Sequence, residues 1–191
     1  PSIQAEPEAF GRAFSVTHRD VIQYVPNAQV QSIDSASRSI VTSAGTISNA
    51  TVLNYIPNQR AGAIAAALGV NSAGFVPVNP LTYATANPTI HVIGDSCAVP
   101  ASDGKAVPKS GHMANSEAKV CAMNIVALMN GKELTEMSGI NTCYSYITDK
   151  EAVSVAAVYK VADGKIIAVP NSGGVSPADF SAAKIEAVYA E

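Results

Sequence analysis

The sequence predicts an α/β chain that passes into a small α+β domain. Three observations carry this expectation. Thr89–Ile93 is a β-branched run that stops at Gly94-Asp95 and feeds a loop rich in Gly, Pro and Ser, then a long helix; a buried parallel strand and its helix read this way. Upstream, short alternating runs between turn residues read as a β-meander. Downstream of Lys132 the composition shifts to β-branched and aromatic runs around Asp163-Gly164, a dipeptide favoured in tight hairpins.

Taken in order, Glu6 to Phe14 reads as a helical turn or as the ragged end of a missing element. Asp20–Val25 reads as a strand closed by Pro26-Asn27, Gln29–Asp34 and Ser39–Thr42 as alternating strands, and Ala44-Gly45 as a turn before Thr46-Ile47. Ala50–Tyr55 reads as a buried strand, Gln59–Leu68 as an Ala-rich helix ending at Gly69, and Phe75–Val78 with Tyr83 as an irregular, strand-like connection. The long helix takes its apolar stripe from Ala114, Ala118, Cys121, Ile125 and Leu128, with Gly131 as its C-terminal cap. Lys132–Gly139 reads as a linker. Strands follow at Thr142–Thr148, Ala152–Val161 and Lys165–Val169, then a short amphipathic helix over Pro177–Tyr189.

Composition excludes several function classes. The chain is 48% hydrophobic with a formal charge of −3, which supplies a core and argues against a nucleic-acid surface or a polybasic membrane patch. No apolar stretch reaches the roughly 20 residues of a spanning helix. The chain opens on Pro1-Ser2 rather than Met, which reads as a cut or processed start. The three cysteines, Cys97, Cys121 and Cys143, form no metal-ligand spacing with one another or with the histidines. Cys121, on the helix stripe, reads as a small core residue.

A Gly-Asp pair after a strand is by itself an ordinary tight turn. It also offers chemistry to a dinucleotide: the Asp95 carboxylate can accept from a sugar hydroxyl, and free N–H groups near Lys109–Gly111 can face an anionic or electron-rich group. The wider string decides between them. Ile56-Pro57-Asn58-Gln59-Arg60-Ala61-Gly62, Ile90–Asp95, Pro108-Lys109-Ser110-Gly111 with Ala114-Asn115-Ser116, Asn141–Ser145 and Ser172–Pro177 occur in one order. Together they resemble the two-dinucleotide-domain flavoprotein reductases, and most closely the flavoprotein subunit of the flavocytochrome c sulfide dehydrogenases. The likeness covers most of the chain from about Arg19 onward.

That resemblance implies a partial Rossmann-like FAD/NAD(P)-binding domain followed by a small sheet-and-helix domain. Residues 1–55 would be the end of a nucleotide-binding-like middle domain, 56–131 the second half of the FAD-binding domain, and 132–191 the family's C-terminal domain. The G-x-G-x-x-G phosphate fingerprint is nowhere in this chain. The resemblance places it in an N-terminal half that this sequence lacks, so the fragment alone is expected to hold FAD poorly. Gly94, Asp95, Pro108, Lys109, Ser110 and Gly111 would bind the cofactor. Asp95 would accept from the ribityl chain, and the helix start would stabilise charge on the pyrimidine side of the reduced flavin. Lys109 would add a cation there, unless it is simply a solvated loop lysine.

Cys143, in Asn-Thr-Cys-Tyr-Ser, reads locally as a core residue at a strand start. The resemblance makes it one of a redox-active cysteine pair: hydrosulfide attacks the disulfide, a persulfide forms on one sulfur, and the other leaves as a thiolate that passes electrons to the flavin. Its partner cysteine would lie in the absent half, and Cys97 is left without a role. The implied protein is a periplasmic FAD-dependent sulfide dehydrogenase that hands electrons to a c-type cytochrome subunit. The alternatives are a sulfide:quinone reductase, which the short, polar Pro177–Glu191 disfavours, and a non-catalytic assembly module that has lost its flavin.

Overall fold

The computed structural model describes residues 7–102, 106–177 and 179–190, with the backbone alone at 180 and 181. The chain forms two compact units, one of Phe10–Asn58 and one of Gln59–Glu191 joined by the N-terminal end through Ala9. Helix α1 (Pro7–Arg12) runs into a π-helical turn over Ala13–Thr17.

In the first unit, β1 (Val30–Asp34), β2 (Ser39–Thr42) and β3 (Gly45–Ile47) form an antiparallel meander, with Ile33 opposite Ile40 and Ile40 opposite Ile47. The first turn closes on Asp34. Its carboxylate accepts from the Ser37 hydroxyl at 2.6 Å and from the Ala36 N–H at 2.9 Å, and these bonds, the Ser37 one foremost, hold its pKa below the usual carboxylate value. Two expected strands are absent. Asp20–Val25 opens as a turn, because the N–H groups of Val21 and Ile22 both donate to His18 O at the exit of the π-helical turn. Ala50–Tyr55 has no ladder, and Val52 is 81% exposed. A β-branched run becomes a strand where another strand meets its edge, and neither run has such an edge.

In the second unit the Ala-rich stretch shortens to one helical turn, α2 (Ala63–Ala66). Gly62 at its start offers no capping side chain, and Gly69 leaves at φ 91°. The expected central strand at Thr89–Ile93 is also absent. His91 makes a single antiparallel bridge to Ala84, and the Val92 N–H donates to Tyr83 O at 3.0 Å, so the run folds back on its own upstream loop. The parallel pair of this region is instead β4 (Val76–Pro77) with β5 (Cys97–Ala98), on either side of a 3-10 turn at Gly94–Ser96.

Helix α3 (Gly111–Met129) begins one turn before the expected stripe, because the Ser110 hydroxyl caps it by accepting from the Met113 N–H at 3.2 Å. Its end is a Schellman motif: Gly131 has φ 61°, Lys132 N–H donates to Ala127 O at 2.9 Å, and Gly131 N–H to Leu128 O at 3.3 Å. The buried face is Met113, Glu117, Val120, Cys121 and Asn124, and Leu128 is 54% exposed. The expected apolar stripe is therefore displaced around the helix toward two polar residues.

The chain then builds an antiparallel sheet of β6 (Ser138–Thr148), β7 (Glu151–Ala162) and β8 (Lys165–Ala168), with β9 (Gly174–Val175) also on β7. Asp163 and Gly164, at φ 49° and 69°, make the expected two-residue hairpin. Helix α4 (Phe180–Ala190) packs on β7, and α3 packs on β6. The expected linker is partly buried: Met137 is 1% exposed and joins Met113, Val120, Val161 and Ile166 in one core that crosses residues 131 and 132. Helices and strands are thus mixed, in small sheets.

Candidate functional site

A cleft of about 270 Å³ opens in the second unit between the 94–99 turn, the 106–110 loop and the start of α3. It is lined by Gly94, Asp95, Pro108, Lys109 and Ser110, so the structure brings together five of the six residues expected at a cofactor. Gly111 follows as the first residue of α3. Apolar walls come from Phe75, Val99, Val107 and Met113.

Each polar group is set by its own element. Gly94 has φ 66°, which an L side chain rarely adopts, and a Cβ there would stand 3.3 Å from Ala114 Cβ. The turn can therefore lie close against α3 and leave Asp95 exposed at its lip. Lys109 is not a free loop cation. Its Nζ donates to Cys97 O at 2.8 Å and stands 4.0 Å from the Phe75 ring centroid. Ser110 caps the helix and donates to Asn141 Oδ1 at 2.5 Å. At the start of α3, the positive end of the helix dipole, the Met113 N–H donates to Ser110 Oγ and the Ala114 N–H to Ser110 O.

The structure also places residues that sequence reasoning missed. Glu117 lies under the turn at 3% exposure, its Oε2 accepting from the Gly94 N–H at 2.6 Å and from Cys97 Sγ at 3.7 Å. Burial pushes its carboxyl pKa up, and the Asp95 charge adds to this against the two hydrogen bonds and Lys109. Burial, then the Glu117 charge, pushes the Cys97 thiol up to about 12, so Cys97 is an inert thiol rather than a nucleophile. Tyr83 is 0% exposed, its pKa raised by burial, and its hydroxyl has no hydrogen-bond partner among the described residues. A carboxylate on a helix reads as surface in sequence; the usable signal is that Glu117 falls four residues after Met113 and four before Cys121, on their face.

Cys143 does not line the cleft. It lies within β6 rather than at a strand start, opposite Val155, and is an exposed free thiol. It is nonetheless joined to the cleft, because Asn141 accepts from Ser110 and donates through Nδ2 to Cys143 Sγ at 3.6 Å. Cys121 is buried as expected and donates to Thr82 O at 3.4 Å. Among the described residues no group of His, Cys, Asp and Glu could hold a metal ion.

A carboxylate at the lip, a fixed ammonium, helix-start amides and an apolar wall suit a flat ring that carries hydroxyls and a charge-accepting edge. Residues 136–191 match the family model described as "Flavocytochrome c sulphide dehydrogenase, flavin-binding". The segment that carries Asn141 and Cys143 is thus similar to the flavin-binding domain of the flavocytochrome c sulphide dehydrogenase flavoprotein, a family that points to a flavin-dependent oxidoreductase with FAD as its cofactor.

Proposed function

We propose that this chain forms one side of the FAD site of a sulfide dehydrogenase, with sulfide as electron donor and a c-type cytochrome subunit as acceptor. The observation that carries the reading is the convergence of Gly94, Asp95, Lys109 and Ser110 on one cleft, hydrogen-bonded through Asn141 to Cys143 in the family-matched segment. When bound, FAD takes up the two electrons that sulfide oxidation releases. Asp95 would accept from a hydroxyl of the bound cofactor, and Lys109 with the start of α3 would stabilise negative charge on it. The pyrophosphate cradle and a second cysteine come from residues outside this sequence, within a Rossmann-like FAD domain of which residues 56–131 are the second half. Hydrosulfide attacks the disulfide between that cysteine and Cys143: the S–S bond breaks, a new one forms to the substrate sulfur, and the other cysteine leaves as a thiolate. Residues 132–191 help hold the cytochrome, and the site of action is periplasmic.

The test is stopped-flow reduction of the intact flavoprotein by sulfide. Cys143→Ser keeps FAD bound and loses sulfide-dependent reduction; reduction at the wild-type rate removes Cys143 from the mechanism. A second reading, a quinone-reducing enzyme, has one observation in its favour: Ile185, Val188 and Tyr189 form an exposed apolar stripe on α4, each at least 59% exposed. No described helix is long and apolar enough to cross a membrane. Reoxidation by cytochrome c but not by a short-chain quinone decides between the two.

A further inference from the structure

Neither Glu117 nor Cys97 has a role in the reading above, yet together they form the floor beneath it. A buried carboxylate is costly unless hydrogen-bonded. Glu117 meets that demand with two donors from one turn, the Gly94 N–H at 2.6 Å and Cys97 Sγ at 3.7 Å. Those donors flank Asp95. The charged and titratable groups that face Glu117 are Asp95 and Cys97 from the turn, Lys109 from the loop before α3, and Tyr83 from the 81–84 loop. Lys109 reaches the same turn from above through Cys97 O at 2.8 Å.

We propose that Glu117 is a positioning residue, pinning the Gly94–Cys97 turn to α3 and so setting the direction in which Asp95 presents its carboxylate to a hydroxyl-bearing ligand. Cys97 is the second pin and takes no part in redox chemistry. The last step, from Asp95 to ligand, rests on the flavin reading; the pin itself does not.

The pin is tested on the full chain without added flavin, by NMR of the Gly94 amide. In the wild type this amide proton shifts with pH as Glu117 ionises, with a midpoint above 4.5, since burial raises that carboxyl. Glu117→Gln abolishes the titration and keeps Gly94 protected from exchange, because the amide oxygen still accepts. Glu117→Leu raises Gly94 exchange by about tenfold or more, as expected for loss of a hydrogen bond to a charged group, and leaves Val120 and Cys121 amides protected. A Gly94 amide that does not titrate, that titrates unchanged in Glu117→Gln, or whose exchange rises no more than that of the α3 amides, overturns the pin. Glu117→Gln decides the matter even if Glu117→Leu fails to fold. In a second arm, FAD is titrated into the intact flavoprotein. Glu117→Leu weakens binding when Asp95 is present and has no further effect on Asp95→Asn; equal effects in both backgrounds overturn the action through Asp95. If the wild type binds no FAD, the flavin reading falls and the Gly94 result still decides the pin.

Discussion

Asn124→Ala tests how the two sides of the second unit are held together. Asn124 is 0% exposed, and its amide closes three hydrogen bonds: Nδ2 to Leu81 O at 2.7 Å, Nδ2 to Thr135 O at 2.8 Å, and Oδ1 from the Thr135 N–H at 2.8 Å. One side chain thus ties α3 to the 81–84 loop that carries Tyr83 and to the segment that leads into β6. Each bond contributes about 1 kcal/mol net. Thr135 is an exposed residue whose backbone can rehydrate, whereas Leu81 is half-buried and recovers less. The expected loss is about 3 kcal/mol, which for a chain of this size lowers Tm by roughly 6–12 °C. Urea unfolding followed by hydrogen-exchange mass spectrometry on peptides from residues 59–191 reads the loss in the unit concerned. Asn124→Asp keeps the acceptor, loses both donors and buries a charge, so at pH 7 it is at least as damaging. A loss under about 1 kcal/mol for Asn124→Ala would show that the three bonds are replaced by water without cost and would refute the reasoning.

Asp95→Ala raises the dissociation constant for FAD in the intact flavoprotein by about tenfold or more, the loss of one hydrogen bond to a carboxylate; unchanged flavin occupancy counts against the placement. Gly173→Ala puts a Cβ into the Ala156 carbonyl and displaces the segment whose Ser172 hydroxyl accepts from the Val158 N–H at 2.9 Å. It costs about 1–3 kcal/mol, and a urea midpoint equal to wild type would show that the segment yields freely. At pH 8, well below the Cys97 value of about 12, iodoacetamide labels exposed Cys143 and spares buried Cys97 and Cys121 until urea is added. Labelling of Cys97 in the folded protein, read by mass spectrometry, contradicts its burial beside Glu117.

What the sequence determined by itself is what local chemistry decides. Gly131, the Asp163-Gly164 turn and the run of strands after residue 138 are legible because a left-handed residue or a two-residue hairpin specifies its own geometry. The cleft residues Gly94, Asp95, Pro108, Lys109 and Ser110 are picked out by the family resemblance rather than by local chemistry, and the Ser110 cap that starts α3 ahead of its apolar stripe is visible only in the fold. Tertiary structure decided the rest. Asp20–Val25, Ala50–Tyr55 and Thr89–Ile93 carry strand-like patterns, but a strand needs a partner edge, and a pattern holds no record of whether one arrives. Glu117 and Asn124 are polar residues on a helix, and residue type alone reads both as solvent-facing, although helical spacing puts Glu117 on the face of Met113 and Cys121. They are buried because Gly94, 23 residues before one, and Leu81, 43 before the other, bring the backbone groups that satisfy them. A hydrogen bond between distant residues leaves no periodicity in the chain, which is why the floor of the cleft became visible only with the fold.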